Sequence, residues 1–94
     1  MKITGIIWLE EIVEKLARKH AVEQSEVAEV LANSPRFRFI EKGHRRNENV
    51  YAAYGQTDAG RYLVAFFICK PNHHALILSA RGMTDSERKR YEKK

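Results

Sequence analysis

Two arginines mark the ends of apolar runs in the C-terminal half of the chain: Gly60-Arg61 opens one run, and Ser79-Ala80-Arg81 closes another. Glu87-Arg88-Lys89-Arg90-Tyr91 follows shortly after. A guanidinium is a planar fork that binds two phosphate oxygens and stays charged at any relevant pH. Arginines at strand ends beside a basic helix therefore suit a phosphodiester lying in a shallow groove, and RNA is the first polymer this pattern suggests. Cleaving RNA without a metal requires a base for the ribose 2′-hydroxyl, a proton for the departing 5′-oxygen and positive charge for the transition state. Arg61 and Arg81, with Arg88 near them, fit the last task. His20 or Glu48 suits base or acid, and Tyr91 suits a proton donor or a base-stacking surface. The alternative for Arg61 and Arg81 is a salt bridge to Glu48, Asp58 or Glu87 that pins a turn. For Arg88 and Tyr91 it is a helix packed on the sheet through the tyrosine, with the arginine exposed.

Further cations lie outside this set. Arg36, Arg38, Lys42, His44, Arg45 and Arg46 form a second basic stretch, and Lys89, Arg90, Lys93 and Lys94 make a basic end. Strand alternation sends Arg36 and Arg38 to one face, where they either track a phosphate backbone or simply solvate the sheet. The formal net charge is +5, made of −2 over residues 1–34 and +7 over residues 35–94. Such asymmetry points to a polyanion or an acidic protein partner. His73-His74 has no neighbouring cysteine or carboxylate in sequence and makes a poor metal site. The sequence contains no glycine-rich phosphate loop, nucleophile elbow, zinc spacing or paired-carboxylate motif, so no cofactor is predicted.

The elements that must position these groups follow from periodicity. Leu9, Ile12, Val13, Leu16 and Ala17 recur at helical spacing over residues 9–19, with Glu10, Glu11, Glu14 and Arg18 opposite. A second helix is predicted over 24–32, ended by Asn33-Ser34-Pro35. The pattern then changes to period two, giving strands at 36–40, 49–54, 62–69 and 75–80, separated by turn chemistry at Gly43, at 55–60 and at Pro71-Asn72. Residues 3–8 are either an edge strand or the lead-in to the first helix. Thr84-Asp85-Ser86-Glu87 fits a capping box and starts a third helix over 85–92. The predicted fold is α+β: two N-terminal helices, a four-stranded antiparallel sheet with 62–69 at its centre, and a short C-terminal helix.

In such a meander Arg61 and Arg81 share one sheet end, and the capped helix brings Arg88 and Tyr91 there. Glu48 belongs at the other end, about 20 Å away at ~3.3 Å per residue. The catalytic reading requires the two guanidiniums to meet at one rim. The nuclease proposal fails if they point to opposite sides, or if each is locked in an internal ion pair.

Ninety-four residues, 44 % of them apolar, make a single domain with one modest core. No stretch approaches the ~20 apolar residues of a membrane span, and the N-terminus lacks the features of a signal peptide, so a cytoplasmic protein is expected. The lone Cys69 is expected to be buried as a small hydrophobe.

Five segments taken together resemble one family. Lys19-His20 before a short second helix, Glu48-x-x-Tyr51-x-x-x-Gly55, Gly60-Arg61-x-Leu63, Ile77-Leu78-Ser79-Ala80-Arg81 and Glu87-Arg88-x-x-Tyr91 are similar, in order and spacing, to the BrnT family of bacterial toxins. The resemblance covers nearly the whole chain. It departs after Trp8, where Leu9 and Glu10 replace the family's usual residues, and at Val50, which stands at an arginine position. The resemblance implies a RelE-like fold, metal-independent ribonuclease activity that inhibits translation, and neutralisation by a BrnA-type antitoxin. Such an antitoxin carries a ribbon-helix-helix segment whose dimerisation would give a heterotetramer. Position by position, it carries a catalytic role to His20, Glu48, Arg61, Arg81, Arg88 and Tyr91.

Overall fold

The computed structural model describes residues 1–93; Lys94, counted above in the basic end, lies outside the described residues. The chain is α+β, in the order β1 (Gly5–Ile7), α1 (Glu10–Lys15), a π-helical turn (Leu16–His20), α2 (Gln24–Ala32), β2 (Arg36–Glu41), β3 (Val50–Gln56), β4 (Tyr62–Cys69), β5 (His74–Gly82) and α3 (Asp85–Glu92). One sheet has the strand order β1-β5-β4-β3-β2, with the apolar strand β4 in the middle. Strands β2 to β5 form the expected antiparallel meander.

The expected four-stranded, purely antiparallel sheet is corrected by β1, which adds a fifth strand parallel to β5, with Gly5 opposite His74 and Ile7 opposite Leu76. Of the two readings of residues 3–8, the edge strand is the observed one, over Gly5–Ile7. What fixes them is the edge that the meander leaves open on β5. The Thr4 N–H donates to the His73 carbonyl at 3.0 Å and the Thr4 hydroxyl to the Asn72 carbonyl at 3.0 Å. Gly5 lets the His74 ring lie close over the strand, since an added Cβ would sit 2.7 Å from its Nε2 and the ring would have to move.

The first helix also differs from its expected continuous run. Its α-helical part stops at Lys15, and the wider turn that follows ends at Ala21, whose φ is 51°. There the Val22 N–H donates to the Leu16 carbonyl at 3.1 Å. Leu16 and Val22 both enter the core through this turn, while Leu9 and Ala17 stay exposed. The second helix has its expected bounds and a capping box formed by Glu23 and Glu26.

One face of the sheet carries these helices. Leu16, Val22, Val27 and Val30 pack against Ala53, Leu63, Ala65, Phe67, Ala75, Ile77 and Ala80. Each fully buried Val, Leu, Ile or Phe contributes about 1.5–3 kcal/mol relative to exposure, so this face holds most of the stability. On the other face Ala52 and Val64 are fully buried and α3 packs beside them through Tyr62 and Tyr91. Cys69 is half-buried rather than buried.

A single irregularity in β5 decides which face its end presents. Phe66 pairs with Ser79 while Phe67 pairs with Ile77, so Leu78 is an extra residue. Ala75, Ile77 and Ala80 all lie in the same core, which requires a change of phase between Ile77 and Ala80. Among the described residues no helix is long and apolar enough to cross a membrane.

Candidate nucleic-acid interface

Arg61 belongs to the helix-bearing face. Its guanidinium donates to the Ala21 carbonyl at 2.6 Å, to the His20 carbonyl at 3.2 Å and to both oxygens of Glu26 at 3.1 and 3.2 Å. The left-handed Ala21 leaves those carbonyls facing outward from the π-helical turn, and Arg61 joins that turn to α2. Glu26 is held below the usual carboxylate range, first by the Glu23 N–H and also by Arg61, with burial opposing. Arg61 is thus a clamp between the sheet and the helix pair.

Arg81 belongs to the opposite face. It pairs with Val64 across the ladder, Val64 with Tyr54 and Tyr54 with Arg36, so these four residues form one transverse row. Its fork donates to both oxygens of Glu87, at 2.7 and 3.0 Å, and its guanidinium carbon lies 5.5 Å from the centre of the Phe66 ring. The Glu87 carboxylate holds the Arg81 guanidinium still more firmly protonated, against a partial opposing effect of burial. In return the Arg81 fork, helped by the Thr84 N–H and hydroxyl, pulls the Glu87 carboxyl down to about 2.

The expected convergence of Arg61 and Arg81 is therefore corrected. They share a sheet end, as strand order requires, but not a face. The register that leaves the β4–β5 turn, with Phe67 opposite Ile77, would carry Arg81 to a position opposite Leu63, on the face of Arg61. The extra residue at Leu78 turns it over, and Leu63 pairs with Gly82 instead. Each guanidinium is also committed to an internal carboxylate, as the salt-bridge alternative anticipated, with Glu87 the foreseen partner of Arg81 and Glu26 an unforeseen one for Arg61.

The other proposed catalytic groups disperse as well. His20 is half-buried at the end of the π-helical turn, where its carbonyl serves Arg61 on the helix face. Glu48 accepts from Lys70 Nζ at 3.0 Å at the far end of the sheet, about 20 Å along the strand from Tyr54 at ~3.3 Å per residue. Arg45 and Arg46 are exposed in the loop leading to that same far end, and Lys89 is exposed on α3. Arg88 lies over the Tyr62 ring at 4.0 Å and pairs loosely with Glu92 at 3.7 Å. The alternative reading of α3 is the observed one: Tyr91 packs edge-on against Tyr62 and joins the helix to the sheet.

What α3 and the sheet do enclose is a groove of about 480 Å³ lined by Arg36, Arg38, Tyr54, Glu87, Arg90 and Tyr91, together with Phe37. Each residue arrives for a local reason. Alternation along β2 puts Arg36 and Arg38 on the same face, and pairing with β3 sets them opposite Tyr54 and Ala52. The box formed by Thr84 and Glu87 fixes the start of α3, with the Glu87 N–H donating to the Thr84 hydroxyl at 3.2 Å and the Thr84 N–H to Glu87 at 2.8 Å. From that start Arg90 and Tyr91 fall on the groove side, and the Arg36 guanidinium carbon lies 5.9 Å from the Tyr91 ring centre.

Among the described residues Arg36, Arg38 and Arg90 make no ion pair, and all three are exposed. Three uncommitted guanidiniums around two phenol rings can neutralise phosphates and stack bases. Tyr54 was missed as a site residue. Its signal was present in the spacing, because Tyr51 and Tyr54 must project from opposite faces of a strand, but that spacing alone does not say which face α3 will cover. Among the described residues no group of three or more His, Cys, Asp or Glu side chains is placed to hold a metal ion. Compared with known protein families and with curated proteins, the chain matches none.

Proposed function

We propose that this chain is the toxin half of a toxin–antitoxin pair, BrnT-like in sequence and RelE-like in scaffold, and that it acts on RNA through the groove between α3 and the sheet. The observation that carries this reading is the set of exposed cations Arg36, Arg38 and Arg90, unpaired among the described residues, around Tyr54 and Tyr91. A single strand fits such a surface better than a duplex, since unstacked bases can meet the rings while guanidiniums hold the backbone. The resemblance of the five sequence segments supports the same class of target.

The nuclease proposal built on Arg61 and Arg81 fails, since the two lie on opposite faces and each is held by an internal carboxylate, so a nuclease reading has to rest on the groove groups alone. Arg61, His20 and Glu48 are assigned structural roles. Arg81 stands behind Glu87, so a phosphate reaches it only by displacing that carboxylate. In a groove-based cleavage the Tyr54 or Tyr91 hydroxyl would give its proton to the departing 5′-oxygen, Glu87 would have to leave Arg81 and take the 2′-hydroxyl proton, and the Arg36, Arg38 and Arg90 guanidiniums would stabilise the charge of the transition state. With its carboxyl held at about 2, Glu87 is a weak base. That weakness favours a second reading, in which the groove grips RNA without cutting it.

Incubating the purified protein with single-stranded RNA in EDTA separates the two. Cleavage that falls ~100-fold in Tyr91→Phe while binding persists supports the nuclease. Intact RNA, bound tightly by the native chain and weakly by Arg38→Ala, supports the binding module. RNA that is neither bound nor cut contradicts both.

A further inference from the structure

The outermost strand of the meander has an open edge. β2 pairs with β3 on one side only, and every second residue of an edge strand turns its N–H and C=O outward. Natural edges of this kind are usually blunted by short length, charged side chains, proline or bulges. β2 has six residues; Arg36, Arg38, Glu41 and the irregularity at Ile40 guard it against pairing with itself, but the two charges on its groove face are both positive and leave the edge open to a segment of the opposite sign. The largest exposed hydrophobics near the sheet are on it, with Phe39 54 % and Ile40 41 % exposed.

Its two faces differ in chemistry. Arg36 and Arg38 point into the α3 groove, whereas Phe37 and Phe39 point to the other face, edge-on to Phe67 and Tyr51 at 6.0 and 5.9 Å. A strand added alongside would set alternate side chains beside the arginines and the intervening ones beside the phenylalanines. A second copy of this chain is a poor occupant, because antiparallel self-pairing would place arginine against arginine.

We infer that the edge of β2 is a docking site for an extended segment of a partner protein in which carboxylates alternate with apolar residues. The carboxylates meet Arg36 and Arg38, the apolar residues cover Phe39, and backbone hydrogen bonds extend the sheet. The docked strand takes two of the three unpaired cations of the groove and so excludes RNA; this last step rests on the RNA reading above. Neutralisation would then be direct competition for the same guanidiniums.

The test uses the full chain and three synthetic decapeptides: alternating glutamate and valine, alternating lysine and valine, and the glutamate–valine peptide N-methylated at every second amide. The inference expects the glutamate–valine peptide to bind and to slow amide exchange in β2. It expects ~10-fold weaker binding on N-methylation and ~10-fold weaker binding to Arg36→Glu/Arg38→Glu. Both substituted residues are exposed, and a melting curve checks that the variant folds. Equal binding of the N-methylated or lysine peptide, or protection elsewhere than β2, overturns the docking site. Single-stranded RNA is then added as competitor. Displacement of the peptide supports exclusion, and simultaneous binding overturns it. A peptide that docks on a chain with no affinity for RNA leaves the strand site standing and removes the RNA reading.

Discussion

Glu87 occupies the Arg81 fork in the way a phosphate would, through two short charge-assisted hydrogen bonds, while its other contacts belong to the cap of α3. The consequence for stability has a definite sign. Its carboxyl titrates at about 2 in the folded chain against an ordinary 4.5, so its stabilising contribution is complete above about 4.5 and is lost as pH falls through about 2. Glu87→Gln keeps a side chain that can complete the capping box but removes the charge. The variant should be less stable at neutral pH by about 1–2 kcal/mol after allowance for the partial exposure of Arg81, and urea titrations should show the gap closing between those two pH values. The same substitution frees Arg81 and removes the carboxylate that, among the described residues, lines the groove. RNA affinity should therefore rise by roughly threefold or more at moderate salt, measured by fluorescence anisotropy. Arg61→Ala separates the two arginines. Losing its bonds to Glu26 and to the carbonyls of His20 and Ala21 should cost about 1–2 kcal/mol in urea unfolding, with RNA affinity unchanged at temperatures where the variant is folded.

The three helices and the meander are connected by features that differ in how openly the sequence displays them. α3 was legible to the residue, because a capping box needs only local chemistry, and α2 was legible from its periodicity and the proline beyond it. The phase of β5 was not. Ala75 to Ala80 is apolar throughout, so no alternation reveals the extra residue at Leu78 that carries Arg81 to the α3 face. β1 was half legible: residues 3–8 already read as an edge strand or a helix lead-in, but their parallel partner is the far end of the chain and left no local signal. The groove was half legible: Arg36 and Arg38 were placed on one face, but the tyrosine opposite them required the register. Because α3 is only eight residues long, its cap should matter beyond its own energy. Thr84→Ala is expected to cost about 1 kcal/mol and to weaken RNA binding as well, since the helix holds one wall of the groove. Thermal melts and binding isotherms on the same variant check both effects.

Across the whole molecule, charge is segregated by segment: residues 1–34 carry a net −2 and the remainder +7. The sheet separates two groups of residues, with the core and the Arg61 clamp on one face and the exposed Arg36, Arg38 and Arg90 on the other. If the α3 groove is the binding surface, affinity should fall with salt, and removing one contact should reduce the logarithmic slope by about 0.7 for a single strand. Arg38→Ala should show that reduction, whereas Arg45→Ala, in the far loop, should change it little. The most direct test of the central claim is photo-crosslinking of a 4-thiouridine RNA to the native protein, with the attached peptide identified by mass spectrometry. Attachment is expected at Tyr54 and Tyr91. Attachment beside Arg61 and His20 on the helix face, or at Tyr51 and Lys70 near the far end, would contradict it.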